Sequence, residues 1–371
     1  MRRILTLLCV VWMLLPAARA SQPPAVAAKG AVLIDAVSGR VLFGQNENAR
    51  YPMASTTKVM TTLLALEHAG LDEVVTAGKN AAGVTGTSLY LSEGEQLSME
   101  HMLYGLMLRS GNDAAVAVAE HIAGSVAAFA DMMNARAAEL NADAHFVNPH
   151  GLDADGHETS ALGLARIMRE AMKNPRFREI TGTTRKIIPW VGNEYSRVLE
   201  NKNRLLTDYE GATGGKTGYT GKAGRCLVFS AERDGLSLIG ALLNCPTWFD
   251  TAEALLDYGF ENFRMERAYA AGAVVRALDV VNGEAAAVNV VADGALAAAV
   301  PVGRPVDVAV TLPERLDAPV TAGTVLGEAA LRVGGETVAR CDLVAAAGVE
   351  KRDICQAFRR ILRRWAVWFA G

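Results

Sequence analysis

The chain has 371 residues, 51% of them hydrophobic and 21% charged, with a mean hydropathy of +0.16. That composition supports a folded protein of two or three domains and excludes a disordered, collagen-like or mucin-like chain. A formal net charge of -3 leaves no basic surface extensive enough to wrap DNA or RNA, although both ends are positive and the middle is acidic.

Arg2 and Arg3 precede an apolar run from Ile4 to Leu15, followed by Pro16 and the small-residue spacing Ala18-Arg19-Ala20. Residues 1–20 are therefore expected to be a signal peptide cleaved after Ala20, because the run falls short of the ~20 residues a membrane-spanning helix needs. The segment 21–29 reads as a short disordered leader. Gly30 to Asp35 and Val41 to Phe43 read as two strands joined at Ser38-Gly39. Helical spacing follows from Thr56 to Glu67, and again over Met99 to Leu108, Asp113 to Ala123, Val126 to Leu140 and Ser160 to Lys173. Arg185 to Pro189 is an expected strand. Arg225 to Ala231 and Leu236 to Leu243 should be antiparallel neighbours turning at Arg233-Asp234-Gly235. After a helix from Thr251 to Phe260 the texture changes near residue 270, and residues 272–346 offer short Val- and Ala-rich segments between glycine turns. The expected boundaries are thus a first domain over 28–268 and a β-rich second domain over 272–346.

On a helical wheel, Ile354, Phe358, Ile361, Leu362, Trp365, Trp368 and Phe369 fall on one arc, with Arg352, Arg359, Arg360, Arg363 and Arg364 opposite. Residues 351–371 therefore read as an amphipathic helix lying on an anionic membrane surface; docking on the protein's own globular part is the alternative. Cys226 and Cys245 would lie near one another in the strand pair above. Export permits a disulfide between them, and buried free thiols are equally compatible.

Three short motifs carry the chemistry: Ser55-Thr56-Thr57-Lys58, Ser110-Gly111-Asn112 and Lys216-Thr217-Gly218. Ser55 opens a helix, so its hydroxyl and the Lys58 amine share one face one turn apart and can exchange a proton. The bland reading is an N-cap serine and a solvated lysine. Lys216-Thr217-Gly218 heads a strand after two glycines, which allow a ligand backbone to approach closely. A lysine serves as a base only when its pKa falls, and burial beside a second ammonium, that of Lys216, pushes it down. The six histidines form no His-Glu-x-x-His pair, so zinc hydrolysis is not expected and no metal or other cofactor is called for.

With their neighbours, Tyr51-Pro52-Met53-Ala54 before Ser55, Asn148-Pro149-His150-Gly151-Leu152-Asp153, and Gly218-Tyr219-Thr220, these motifs resemble the low-molecular-mass penicillin-binding proteins that are serine D-alanyl-D-alanine carboxypeptidases. The resemblance spans residues 28 to 350. It implies an α+β fold: a transpeptidase-like domain with a five-stranded antiparallel sheet, flanking helices and a helical subdomain, then a small all-β domain. It implies catalysis by Ser55, Lys58 and Ser110 on a peptidoglycan stem peptide ending in D-Ala-D-Ala. Asn112 would bind the substrate amide, Lys216, Thr217 and Gly218 the carboxylate end, and the backbone N–H groups of Ser55 and Tyr219 the oxyanion. β-Lactam antibiotics would acylate Ser55. The expected location is the outer face of the cytoplasmic membrane, after export.

The chain departs from the family at Gly111, at Gly163, and at Asn244-Cys245-Pro246-Thr247-Trp248, which lacks an arginine some relatives use for the carboxylate. Arg225 is a candidate substitute or a surface strand residue. Two rival functions stand beside the carboxypeptidase. A class A β-lactamase would need an acid where Ala137 precedes Glu139-Leu140-Asn141. A non-catalytic penicillin sensor or wall-binding protein would not need the proton-transfer pair.

Overall fold

The structure is a computed structural model describing residues 22–353 and Phe358, so the expected signal peptide and nearly all of the expected C-terminal helix lie outside the described residues. The first two expected strands are β1 (Gly30–Asp35) and β2 (Val41–Gln45). Their turn is pinned by the Asp35 carboxylate, which accepts the backbone N–H groups of Val37 and Ser38. With β3 (Ala212–Thr220), β4 (Gly224–Arg233) and β5 (Leu236–Leu243) they form an antiparallel sheet in the order β3-β4-β5-β1-β2. β3 is an edge strand, and it carries Lys216, Thr217 and Gly218.

Alternation along these strands supplies two cores. Val32, Ile34, Val228, Ile239 and Ala241 face one way, joining the buried side chains of α1 (Lys58–His68), α2 (Met99–Tyr104), α3 (Asn112–Ala123), α4 (Val126–Glu139) and α5 (Ala161–Ala171). Ala31, Leu33, Leu227, Phe229 and Leu238 face the other way, against Phe249, Ala252, Leu255 and Leu256 of α6 (Trp248–Asn262). Serines start these helices: the hydroxyls of Ser98, Ser125 and Ser160 cap the N-termini of α2, α4 and α5. The expected Met99 to Leu108 helix is α2 continued by a π-turn over Gly105–Arg109, which ends at Ser110.

The two-core arrangement also resolves the cysteines. Cys226 packs in the first core and Cys245 in the second, on opposite sides of the sheet, and both are free thiols. Burial pushes the Cys226 thiol up to about 12.

The boundary expected at 268/272 shifts. β6 (Phe263–Tyr269) leaves the end of α6 and pairs with β9 (Leu296–Pro301), so it belongs to the second domain. β7 (Val274–Val281), β8 (Ala287–Ala292), β10 (Val306–Thr311), β11 (Leu316–Asp317), β12 (Val325–Val333) and β13 (Glu336–Ala345) make a second sheet in the order β10-β12-β13-β8-β7-β11. Its far end also runs past the expected 346: Val349 bridges Val320, Lys351 bridges Gly283, and Arg352 donates to Asn282 O. Asp35 joins the domains by accepting the N–H of Ala299 in β9 at 2.9 Å.

Candidate active site

Ser55 does not sit in the α-helix itself but in a 3-10 turn, Ala54–Thr57, that feeds α1. Ala54 takes a positive φ of 47°, unusual for a residue with a Cβ, and this turns the Ser55 hydroxyl out at the head of the helix. Lys58 is the first residue of α1 and is fully buried. Its Nζ lies 2.9 Å from Ser55 Oγ, 2.7 Å from Asn112 Oδ1 and 2.6 Å from His150 O.

That triad of contacts has a chemical consequence. Asn112 Nδ2 donates to Thr85 O at 2.7 Å, which fixes Oδ1 as the atom facing Lys58. Two of the three neighbours of the amine are therefore pure acceptors. In its neutral form the amine has two N–H groups for them and one lone pair left for the Ser55 hydroxyl, which lies 2.9 Å from Nζ and 3.4 Å from His150 O. Burial, then Lys216, then Lys202 hold Lys58 well below the usual lysine range, against a smaller opposing pull from Asp113.

The second motif follows the π-turn. Ser110 has φ 67°, is buried, and its carbonyl accepts from Thr87 Oγ1 at 2.6 Å. Asn112 N donates to Thr87 O. Asp113, fully buried, accepts the backbone N–H groups of Leu89 and Leu91 and the Ser88 hydroxyl. The segment 85–91 is thereby strapped along the second motif, a wall that no sequence motif marks.

The third motif closes the cleft. A Cβ on Gly218 would lie 2.8 Å from Ser55 N and 3.0 Å from Thr56 N, so only glycine lets β3 come this close. Lys216 is buried, with Nζ donating to Thr217 O at 2.8 Å. Burial and then Lys202 lower its ammonium to about 7. Thr217 is buried and Tyr219 exposed. The structure thus brings Ser55, Lys58, Asn112 and β3 together, with Ser110 two residues before Asn112 on the same wall. Asn112 differs from its expected role in one respect: its carbonyl and one N–H are engaged by Lys58 and Thr85.

A family model for D-alanyl-D-alanine carboxypeptidases matches residues 17–247, and one for the C-terminal domain of penicillin-binding protein 5 matches residues 263–351. The chain belongs to the D-alanyl-D-alanine carboxypeptidase family. It is 31% identical to the D-alanyl-D-alanine carboxypeptidase DacF of Bacillus subtilis, over 98% of this chain and 99% of that one. It is 32% identical to DacA of Escherichia coli over 86% and 83% of the two chains. The crystal structure of penicillin binding protein 5 from Haemophilus influenzae superposes with a TM-score of 0.80 at 30% identity, covering 89% of this chain and all of that one. The carboxypeptidase is a hydrolase and a penicillin-binding protein.

Other expectations meet particular residues. Arg225, the candidate carboxylate binder, donates to Pro246 O at 2.7 Å and lies over the Trp248 ring, which ties it to the loop after β5. Ala137 is buried in the core on α4, a packing position with no carboxyl group. His150 contributes its backbone carbonyl to Lys58, while its ring, lowered to about 3 by burial and then Lys58, accepts from Leu152 N. Lys202 was not expected at the site. It influences both Lys58 and Lys216, and burial of its own amine followed by Arg109 lowers it in turn. Its one sequence signal is its place between two asparagines, which is too common to single it out.

Proposed function

We propose that Ser55 is the nucleophile of this carboxypeptidase and Lys58 its general base. The observation that carries this reading is the buried amine whose two other neighbours are both acceptors, leaving its lone pair for the Ser55 hydroxyl. Ser55 Oγ attacks the carbonyl between the last two D-alanines, and its proton passes to Lys58. The new oxyanion lies between the N–H groups of Ser55 and Tyr219, the latter next to Gly218, whose Cβ position falls 2.8 Å from Ser55 N. Lys58 returns that proton through Ser110, which takes it as it passes its own to the leaving amine, and D-alanine departs. Water then attacks the ester on Ser55 and regenerates the hydroxyl.

Charge complementarity supports the other roles in this reading. Lys216 and Thr217 hold the terminal carboxylate of the substrate, Gly218 gives its backbone room, and the remaining Asn112 N–H binds the amide before the scissile bond. β3 is an edge strand, and past Gly215, whose N–H and carbonyl pair with Thr181 Oγ1, its open side is where an extended peptide can lie. A β-lactam presents the same carboxylate and carbonyl and forms a slowly hydrolysed ester on Ser55. We further propose export through residues 1–20 and attachment to the outer face of the cytoplasmic membrane through residues 351–371, where tryptophans and arginines suit an anionic lipid surface.

Ser55→Ala should keep its melting temperature, lose D-alanine release from a D-Ala-D-Ala peptide and lose labelling by a fluorescent penicillin. Labelling that persists in this variant overturns the assignment. Deleting residues 351–371 should free the protein from anionic vesicles without lowering its soluble activity, and vesicle binding by the truncated protein refutes the anchor.

A further inference from the structure

His157 lies outside the three motifs and is nearly inaccessible, at 4% exposure. Its Nδ1 accepts the backbone N–H of Val147 at 3.0 Å. A backbone amide can only donate, so Nδ1 carries the lone pair and, in the neutral ring, Nε2 carries the hydrogen. Nε2 lies 2.8 Å from Thr57 Oγ1, to which it must therefore donate. Thr57, itself buried, is then left with its own hydrogen, which it gives to Ala54 O at 2.8 Å. The direction of every hydrogen bond from Val147 to Ala54 follows from one backbone amide.

Ala54 O belongs to the peptide unit whose other end is Ser55 N–H. In a planar trans peptide the two point opposite ways, so pinning the carbonyl aims the N–H. The N–H end faces Gly218, whose hypothetical Cβ falls 2.8 Å from Ser55 N. The carbonyl end is packed by Gly151, at φ 90°, where a Cβ would fall 2.0 Å from Ala54 O. The peptide unit is further constrained by the positive φ of Ala54, a strained conformation that persists only where its surroundings enforce it.

We infer that His157 is a positioning residue of the catalytic site, acting through Thr57 and Ala54 O to aim the Ser55 N–H at the oxyanion of the acylation transition state. It touches neither substrate nor nucleophile. The ring is held neutral, at about 4, by burial and then by His145, so the tautomer that the relay requires is the one present at neutral pH. Phe146 packs edge-on against the ring at 5.9 Å between centroids and fixes its plane. The inference rests on the reading of Ser55 as nucleophile and oxyanion donor.

The test uses the full chain and three variants: His157→Phe, Thr57→Val and His157→Gln. The rate of Ser55 acylation by a penicillin, and kcat and KM for a D-Ala-D-Ala peptide, are measured per titrated active site and well below each variant's melting temperature. His157→Phe fills the site without hydrogen bonds, and Thr57→Val keeps the shape without the hydroxyl. Both should slow acylation by about 10- to 100-fold, since misaiming a donor costs less than deleting it. The loss should fall on kcat, with KM for the peptide little changed. His157→Gln offers one acceptor and one donor in the same order and should recover acylation to within about 3-fold of the unsubstituted chain, a difference under 1 kcal/mol. Acylation within that same margin for Thr57→Val, or a Gln variant as slow as the Phe variant, overturns the inference. Should His157→Phe fail to fold, the Thr57→Val and His157→Gln pair decides it alone. Labelling of the unsubstituted chain at Ser55 in the same assay separates failure here from failure of the nucleophile assignment.

Discussion

The α-carbon of Gly218 sits so close to Ser55 that a methyl group placed on it would be 2.8 Å from the Ser55 nitrogen. The atoms in its way are backbone, those of Ser55 and Thr56, and neither can rotate aside. Gly218→Ala should therefore push β3 away from the head of α1 and separate the two proposed oxyanion donors. The expected result is a fall of about 10²- to 10³-fold in penicillin acylation, comparable with removing one donor. Stopped-flow acylation kinetics read this directly, and a variant acylated at an undiminished rate would show that β3 is not part of the oxyanion site.

The three lysines predict a signed pH profile. Lys58 acts as a base only when neutral, so kcat/KM should rise with pH through its lowered pKa. Lys216 binds a carboxylate only when charged, so the profile should fall again above about 7. Burial depresses Lys58 first, then Lys216 and Lys202, with Asp113 opposing; burial and then Lys202 depress Lys216. Lys202→Met removes a positive charge from both neighbourhoods and should move both limbs to higher pH. Limbs that stay in place in the pH dependence of peptide hydrolysis refute the coupling.

His157 also links stability to acid. Its folded-state pKa, about 4, lies below the ordinary 6.5, so the unfolded chain binds more protons between those values. The stability associated with the neutral ring is full above pH 6.5 and is lost as pH falls toward 4. A shift of this size corresponds to roughly 3 kcal/mol. The groups acting on the ring are His145 and Lys58, which lower it beyond burial, and Asp153, which raises it. Urea unfolding of His157→Gln at a series of pH values should give a visibly flatter acid dependence than the unsubstituted chain.

Arg197 and Glu95 form an ion pair, at 5% and 3% side-chain exposure, with hydrogen bonds of 2.6 and 3.0 Å. Arg197 also donates to Leu89 O and Pro189 O, so it joins the strap along the second motif to the strand Arg197–Glu200. Arg197→Met would leave a buried carboxylate without its cation, which costs about 3–5 kcal/mol. Chemical denaturation should show that loss, and an unchanged midpoint would mean that the pair carries no net stability.

Much of this architecture was legible in the pattern of apolar residues. Short, nearly continuous apolar runs along Gly30–Asp35 and Leu236–Leu243 mark strands with two buried faces, and helical spacing marks α1 and α3 through α5. Ser55 and Lys58 were legible as a pair because one turn separates them. What escaped depends on tertiary neighbours. The positive φ of Ala54 needs Gly151 and Thr57 beside it, and the contact of Lys58 with Asn112 Oδ1 needs Thr85 to orient the amide. The domain boundary was misplaced because β6 follows α6 without a break, and its partner β9 comes about thirty residues later in sequence. Cys226 in β4 and Cys245, two residues past the end of β5, look bridgeable until the fold places them in cores on opposite sides of the sheet.

Asp35 is fully buried at the end of β1, and its carboxylate accepts four donors: the N–H groups of Val37 and Ser38, the Ser38 hydroxyl, and the N–H of Ala299 from the second domain. Arg40 reinforces the junction by donating to Ala299 O at 3.0 Å. Asp35→Ala leaves buried donors unanswered, each worth about 1–3 kcal/mol, and one of them is the N–H of Ala299, where the second domain enters the core under α6. The first sheet retains its apolar faces and the second sheet its own cluster around Val290 and Leu331, so neither domain should unfold outright. Calorimetry should instead show the transition of the unsubstituted protein broaden or divide in two as the domains melt independently. Ser55 lies in the turn before α1, beside the core on the opposite side of the sheet from Ala299, so penicillin labelling should survive at temperatures where the second domain has already melted. A single sharp transition in Asp35→Ala, at the unsubstituted temperature, would show that the apolar contact alone couples the domains.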